Sequence, residues 1–283
     1  MPQFTDAFGV AVTYYEWEAD APRGVVQIAH GLGEHARRYT VLAGELVAAG
    51  YSVYANDHRG HGQTGLDQHG GDVAKLGRLG PGGLRATVDG VHQLTGILRE
   101  RHPELPIVLL GHSFGSLVAQ ILLNRWSQDY AAVVLTGTAT RLPGLVNGGD
   151  LNRLHKHLGS TGREWLSRDI AVQDAFRDDP LTFPADAFKV FGLPEGLRLY
   201  GLPARRLPNR PPLLIQIGGE DSLGGERSVR RLAGIYRRRS GLTDVSVHVY
   251  PEARHEVFNE TNRLEVVEDL ITWLNAHVPP AGS

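Results

Sequence analysis

The chain has 283 residues, and its 29 Lys and Arg against 31 Asp and Glu leave a net charge of −2, which gives it no field to draw a polyanion and excludes nucleic acid as its expected partner. With 41% hydrophobic and 21% charged residues, it has the composition of a folded globular protein. It contains no cysteine, which excludes disulfides, thiolate metal sites and a cysteine nucleophile, and its 35 glycines follow no period, so they are expected in turns.

The N-terminus lacks a basic stretch followed by an apolar one, and no window reaches 18 uninterrupted apolar residues, so a soluble, cytoplasmic protein is expected. Phe4 to Glu18 reads as two antiparallel strands with a turn near Gly9. Beyond it, short β-branched runs alternate with helical patterns, the signature of βα units on a mostly parallel sheet. The strands are expected at Gly24 to Ala29, Ser52 to Ala55, Ile107 to Leu110, Ala132 to Leu135, Leu213 to Ile217 and Val245 to Val249. Apolar spacing at Val41, Leu42, Leu46 and Val47, closed by Gly50, predicts a helix. Others are expected over Leu84 to Arg101, Phe114 to Trp126, Glu226 to Arg239 and Asn262 to His277.

One stretch breaks the rhythm. From Thr140 to about Pro208 there is no convincing strand, and prolines recur at Pro143, Pro180, Pro184, Pro194, Pro203 and Pro208 among short helical pieces. So long a structureless loop would be unusual in a compact domain, so 140–207 is expected to be a helical cap, or lid, inserted in a core made of 1–139 and 208–283.

Gly111-His112-Ser113-Phe114-Gly115 follows an apolar strand and precedes a helix. A serine nucleophile needs its hydroxyl lifted clear of the sheet on a sharp turn, with small residues on either side, and Ser113 meets that need. A serine hydroxyl is a poor nucleophile at neutral pH. A histidine must therefore take its proton and a carboxylate must fix that histidine's tautomer. Asp221 stands in the glycine-rich turn after Leu213 to Ile217, with Glu220 as its competitor, and His255 follows the next strand. The remaining histidines, among them His248, His69, His102, His155 and His277, read as strand or solvated positions. Acyl transfer also needs donors for a developing oxyanion. The backbone N–H of Phe114 is one candidate and that of Leu32, in His30-Gly31-Leu32-Gly33, the other.

With these residues in place, the sequence resembles the monoacylglycerol lipase and lysophospholipase group of serine hydrolases. His30-Gly31-Leu32-Gly33-Glu34-His35-Ala36-Arg37-Arg38-Tyr39 is similar to that group's His-Gly-x-Gly-Glu-His-x-x-Arg-Tyr segment, and Asp57-His58-Arg59-Gly60-His61-Gly62 to its second glycine-rich loop. Gly111 to Gly115 resembles its elbow, with phenylalanine where methionine is commoner. Leu166-Ser167-Arg168-Asp169 and Asp179-Pro180-Leu181 match in the cap, and Gln63-Thr64 stands where Arg-Ser is usual. The resemblance implies an α/β-hydrolase fold, a mostly parallel sheet flanked by helices with a cap, and a triad of Ser113, Asp221 and His255. It further implies an oxyanion hole from Leu32 and Phe114, and Glu34 and Arg38 near the alcohol end of the substrate, although an ion pair holding their loop explains those two equally well. The expected chemistry is hydrolysis of a medium- or long-chain acyl ester, a small-molecule substrate, through an acyl-enzyme, with no metal or organic cofactor. Cap residues such as Leu142, Leu145, Val146, Leu151, Leu154, Leu158, Phe183, Phe188, Val190 and Phe191 either line an acyl site or pack the cap onto the core. The cap is also the surface expected to touch lipid transiently. Alternatives are a small-ester carboxylesterase, a peptidase gripping an α-amine through Glu34 or Asp169, and a non-enzymatic receptor on the same fold.

Overall fold

The computed structural model describes residues 1–278. Eight strands form one sheet: β1 (Gln3–Thr5), β2 (Ala11–Trp17), β3 (Gly24–Ala29), β4 (Tyr51–Asn56), β5 (Ile107–His112), β6 (Ala132–Thr136), β7 (Leu213–Gly218) and β8 (Val245–Tyr250). Their order is β1-β2-β4-β3-β5-β6-β7-β8. β1 and β2 pair antiparallel, β2 joins β4 antiparallel, and every pairing from β4 through β8 is parallel. The central strands are apolar on both faces because helices cover both. Val25, Leu109, Leu135 and Ile215 face a cluster with Leu94, Val118 and Leu232. Val26, Leu110, Val134 and Leu214 face the opposite one, with Leu42, Leu46, Leu270 and Trp273.

The helices are α1 (Thr40–Ala48), α2 (Gly62–Gln68), α3 (Gly83–Arg101), α4 (Phe114–Trp126), α5 (Ile170–Asp178), α6 (Ala187–Phe191), α7 (Leu193–Leu197), α8 (Gly225–Ile235) and α9 (Arg263–His277). The expected α/β order holds, with two local differences. α2 has no apolar period to announce it; side-chain bonds from neighbouring segments hold its first turn instead. Asp57 accepts from the Gln63 amide at 2.7 Å, and the Thr13 amide donates to Thr64 Oγ1 at 2.9 Å. The helix expected to reach Arg239 changes to a wider π turn over Tyr236–Ser240. Arg239 Nε and Ser240 Oγ there donate to the carbonyls of Pro203 and Ala204, both at 2.7 Å.

Between β6 and β7 the chain contributes no strand to the sheet; it holds short 3-10 turns at Leu151–Leu154 and Lys156–Leu158 followed by α5, α6 and α7. Their brevity follows from the sequence. Asp169 and Asp186 cap α5 and α6 by accepting from backbone amides, Pro194 sits in the first turn of α7, and Gly192, at φ 77°, separates α6 from α7. Among the described residues, no helix is long and apolar enough to cross a membrane.

Candidate active site

Ser113 occupies the single residue between β5 and α4, at φ 52° and ψ −121°. Only Ser113 and Arg206 among the described non-glycine residues have positive φ, a conformation that costs energy and persists where surrounding bonds enforce it. Those bonds are present. The Ser113 amide donates to Thr136 O at 3.0 Å, and its carbonyl accepts from the Ser116 amide at 2.9 Å and from Ser116 Oγ at 2.6 Å. Gly115 allows α4 to close on the end of β3, since a Cβ there would lie 2.0 Å from Ala29 O.

Asp221 and His255 come from the turns after β7 and β8, at the carboxyl edge where open parallel sheets build their sites. Asp221 Oδ1 accepts from the Leu223 amide at 2.7 Å and lies 3.0 Å from His255 Nδ1. Both side chains are essentially excluded from solvent, at 0% and 1% exposure, so the pair interacts in a low-dielectric setting. Burial pulls the His255 pKa down, but the charge and hydrogen bond of Asp221 outweigh it and leave the pKa raised. With Nδ1–H given to the carboxylate, Nε2 carries the free lone pair, and that buried atom has no hydrogen-bond partner among the described residues. Glu220, the competing carboxylate, is exposed and joins the turn through its backbone, its amide donating to Ala253 O at 3.0 Å.

The His255 ring lies 4.8 Å from that of His112, the neighbour of Ser113, and 4.8 Å from that of Trp165. Gly137 permits this approach: a Cβ there would fall 2.8 Å from His112 Cε1 and 2.9 Å from His255 Cε1. The inserted segment grips the same loop, with the His255 and Glu256 amides donating to Trp165 O and Leu166 O and Arg254 Nη1 donating to Glu164 O at 2.6 Å. Arg168 pairs with Glu260 at 2.9 Å, and His35 Nε2 lies 2.8 Å from Asp179 Oδ2. The two motifs singled out in 140–207 therefore tie that segment to the His255 loop and to the loop after β3.

Leu32, Ser113 and Phe114 line one pocket with about 620 Å³ of empty space, part of it open to solvent. The inserted segment supplies most of the wall, including Val146, Leu151, Phe188 and Leu199. Leu154 and Leu158 are exposed instead, while Phe183, Val190 and Phe191 pack against the core, so the insert's apolar residues divide between lining and packing. No Asp or Glu is among the lining residues. The backbone amide of Phe114 stands at the positive end of α4 and that of Leu32 in the turn after β3, the kind of donors that can meet a developing oxyanion.

Glu34 and Arg38 lie outside that lining, in a buried network. Glu34 Oε1 accepts from the Gly31 amide at 2.5 Å and from Tyr39 Oη at 2.7 Å, and Oε2 pairs with Arg38 at 2.6 Å. Arg38 also grips Glu256 through two bonds of 2.7 and 2.9 Å. Burial pushes the Glu256 carboxyl up, but Arg38 outweighs it and holds the pKa well below its ordinary value. Arg38→Ala is expected to cost about 3–5 kcal/mol of stability, because two carboxylates would remain buried without their counter-charge. Thermal or urea unfolding measures it.

Sequence reasoning missed Glu256 as a partner of Arg38 and the clustering of His30, His58 and His61. Their rings lie 3.9 Å (His30 and His58), 5.4 Å (His30 and His61) and 6.1 Å (His58 and His61) apart. Burial holds His58 down at about 3, His61 at about 4 and His30 well below its ordinary value, so the cluster is neutral at pH 7. The signal available was the pair of histidine-glycine segments, read for turns rather than for contact. His155, expected to be solvated, is instead buried, with Nε2 2.9 Å from Glu220 O, because the insert folds over the turn that carries Asp221.

Residues 20–262 match the family described as serine aminopeptidase, S33. A monoacylglycerol lipase of Mycolicibacterium smegmatis is 34% identical, over 97% of this chain and 96% of its own. The chain belongs to the monoacylglycerol lipase-like α/β-hydrolases. Membership makes it a carboxylic ester hydrolase. The human monoglyceride lipase is 26% identical across 100% of this chain and 93% of its own. Among solved structures, a thermostable carboxyl esterase from Bacillus coagulans in complex with glycerol superposes with a TM-score of 0.81 at 25% identity, over 98% of each chain. This α/β-hydrolase therefore shares its whole length with its relatives rather than an isolated motif.

Proposed function

We propose that the chain hydrolyses monoacylglycerols or related medium- and long-chain acyl esters, with Ser113 as nucleophile, His255 as general base and then acid, and Asp221 as the group that orients the imidazole. The observation that carries this reading is a serine held in a strained turn at the wall of an apolar pocket. Segment 140–207 acts as the cap, and its apolar lining takes the acyl chain. Ser113 Oγ attacks the ester carbonyl as His255 Nε2 takes its proton, and the Leu32 and Phe114 amides receive the oxyanion. Collapse expels the alcohol, protonated by His255, and water repeats the sequence on the acyl-enzyme to release the acid. Glu34 and Arg38 stand near the alcohol end and keep the Leu32 turn in shape.

His255 must be neutral to accept a proton, and its pKa is raised above 6.5 by Asp221, after burial has opposed the shift. As pH falls through that raised value the base becomes charged, so kcat/KM is expected to fall on the acid side with a midpoint above about 6.5. A pH–rate profile on one ester checks it.

The peptidase reading lacks its amine grip: no carboxylate is in the lining, Glu34 is fully engaged, and Asp169 caps α5. A small-ester carboxylesterase is favoured by one observation, the likeness to the Bacillus coagulans carboxyl esterase. Exposed Leu154, Leu158, Ile170, Leu193 and Leu197 on the cap support transient contact with a lipid surface. The discriminating experiment is kcat/KM for monoacylglycerols of increasing chain length beside a short aryl ester. Each buried methylene contributes about 0.8 kcal/mol, so rates are expected to rise about fourfold per carbon until the pocket is full. Preference for the short ester would leave a small-ester esterase.

A further inference from the structure

Arg141 is 3% exposed and lines the same apolar pocket as Ser113. Among the described residues its guanidinium makes one hydrogen bond, from Nη1 to Leu199 O at 3.0 Å, and its buried Nε has no partner. No carboxylate pairs with it. The charged or polar groups that act on it are the buried Tyr236 phenol and the like-charged Arg125, and burial lowers its pKa. Of the other buried arginines, Arg59 pairs with Asp6, while Arg254, which also has no carboxylate partner among the described residues and a buried Nε without one, donates to Glu164 O and Ser167 O and lies outside the pocket lining. A buried cation without a counter-charge is costly, and the cost falls when an anion comes to it. Arg141 is among the residues that line the pocket beside Ser113.

We propose that Arg141 receives a carboxylate carried on the acyl chain beyond the ester, so that the enzyme takes monoesters of dicarboxylic acids as substrates. The inference rests on Ser113 acting as the nucleophile of this pocket. The diacid monoester would lay its methylenes along Leu117, Val146, Leu151 and Phe188 and close its charge on the guanidinium through one or two charge-assisted bonds. The hydrolytic step is unchanged: the ester C–O bond breaks, water supplies the hydroxyl, and a diacid leaves. Arg141 is a specificity-determining residue in this scheme, and the reacting atoms do not touch it.

The test uses the purified full chain and 4-nitrophenyl esters of matched length whose acyl chains end in a methyl, a hydroxyl or a carboxylate. The readout is kcat/KM for the carboxylate-ended ester divided by that for the methyl-ended one. Arg141→Met is expected to lower this ratio about tenfold or more, and Arg141→Lys to restore part of it. An unchanged ratio in Arg141→Met, a fall shared equally by the two esters, or equal preference for the hydroxyl-ended ester would overturn the proposal. If the wild type turns over methyl-ended esters at every length and carboxylate-ended ones at none, the inference fails while the nucleophile assignment stands. Loss of turnover on all three series would instead remove the assignment of Ser113. Should Arg141→Met fail to fold, inhibition of the wild type decides: a dicarboxylate is expected to inhibit at least about tenfold more tightly than the monocarboxylate of equal length, and equal or weaker inhibition would overturn the proposal.

Discussion

Ser113→Ala is expected to lower kcat for a carboxylic ester by about 10⁴- to 10⁶-fold, the loss that follows when the nucleophile of a working triad is removed and the oxyanion donors remain. The protein should keep its fold. The bonds that hold the strained turn run through the Ser113 backbone, to Thr136 O and from Ser116, and alanine retains them. Circular dichroism and an unfolding curve unchanged beside the lost rate would separate chemistry from collapse. Residual turnover within tenfold of wild type would mean that another group attacks the ester.

Asp221→Asn is expected to lower kcat by about 10⁴-fold with little change in KM. An asparagine carbonyl in the place of Oδ1 can still accept from the Leu223 amide, so the turn after β7 persists, but the neutral side chain no longer supplies the charge that stabilises His255 when it takes the proton. A second consequence has a definite sign. Burial alone depresses the His255 pKa, and Asp221 is the main group that raises it. In the variant the acid limb of the residual activity should therefore move to lower pH, whereas an unchanged limb would mean that a different titrating group governs the rate.

The parallel core was legible because its strands are short apolar runs and its helices carry a 3.6-residue period. Phe114–Trp126 was read to the residue, and Gly83–Arg101 and Arg263–His277 within one. What escaped was set by contacts distant in sequence. α2 exists because Asp57 and Thr13 bond its first turn, and the π turn at Tyr236–Ser240 meets a loop about 36 residues earlier; neither leaves a local pattern. The same holds at the site. The positions of Ser113, Asp221 and His255 in the turns after β5, β7 and β8 were legible from the order of strands and turns. Glu256 as the partner of Arg38 depends on a contact 218 residues apart, and Arg141 as a buried cation lining the pocket of Ser113 depends on how 140–207 packs, which proline spacing does not specify.

The most direct test of Ser113 as the acyl-accepting nucleophile is covalent labelling with an alkyl fluorophosphonate, read by intact mass and then by peptide mapping. One phosphonyl group per chain is predicted, located on Ser113, with no labelling of Ser113→Ala. An unlabelled wild type, or an adduct on another residue that persists in Ser113→Ala, would contradict the assignment.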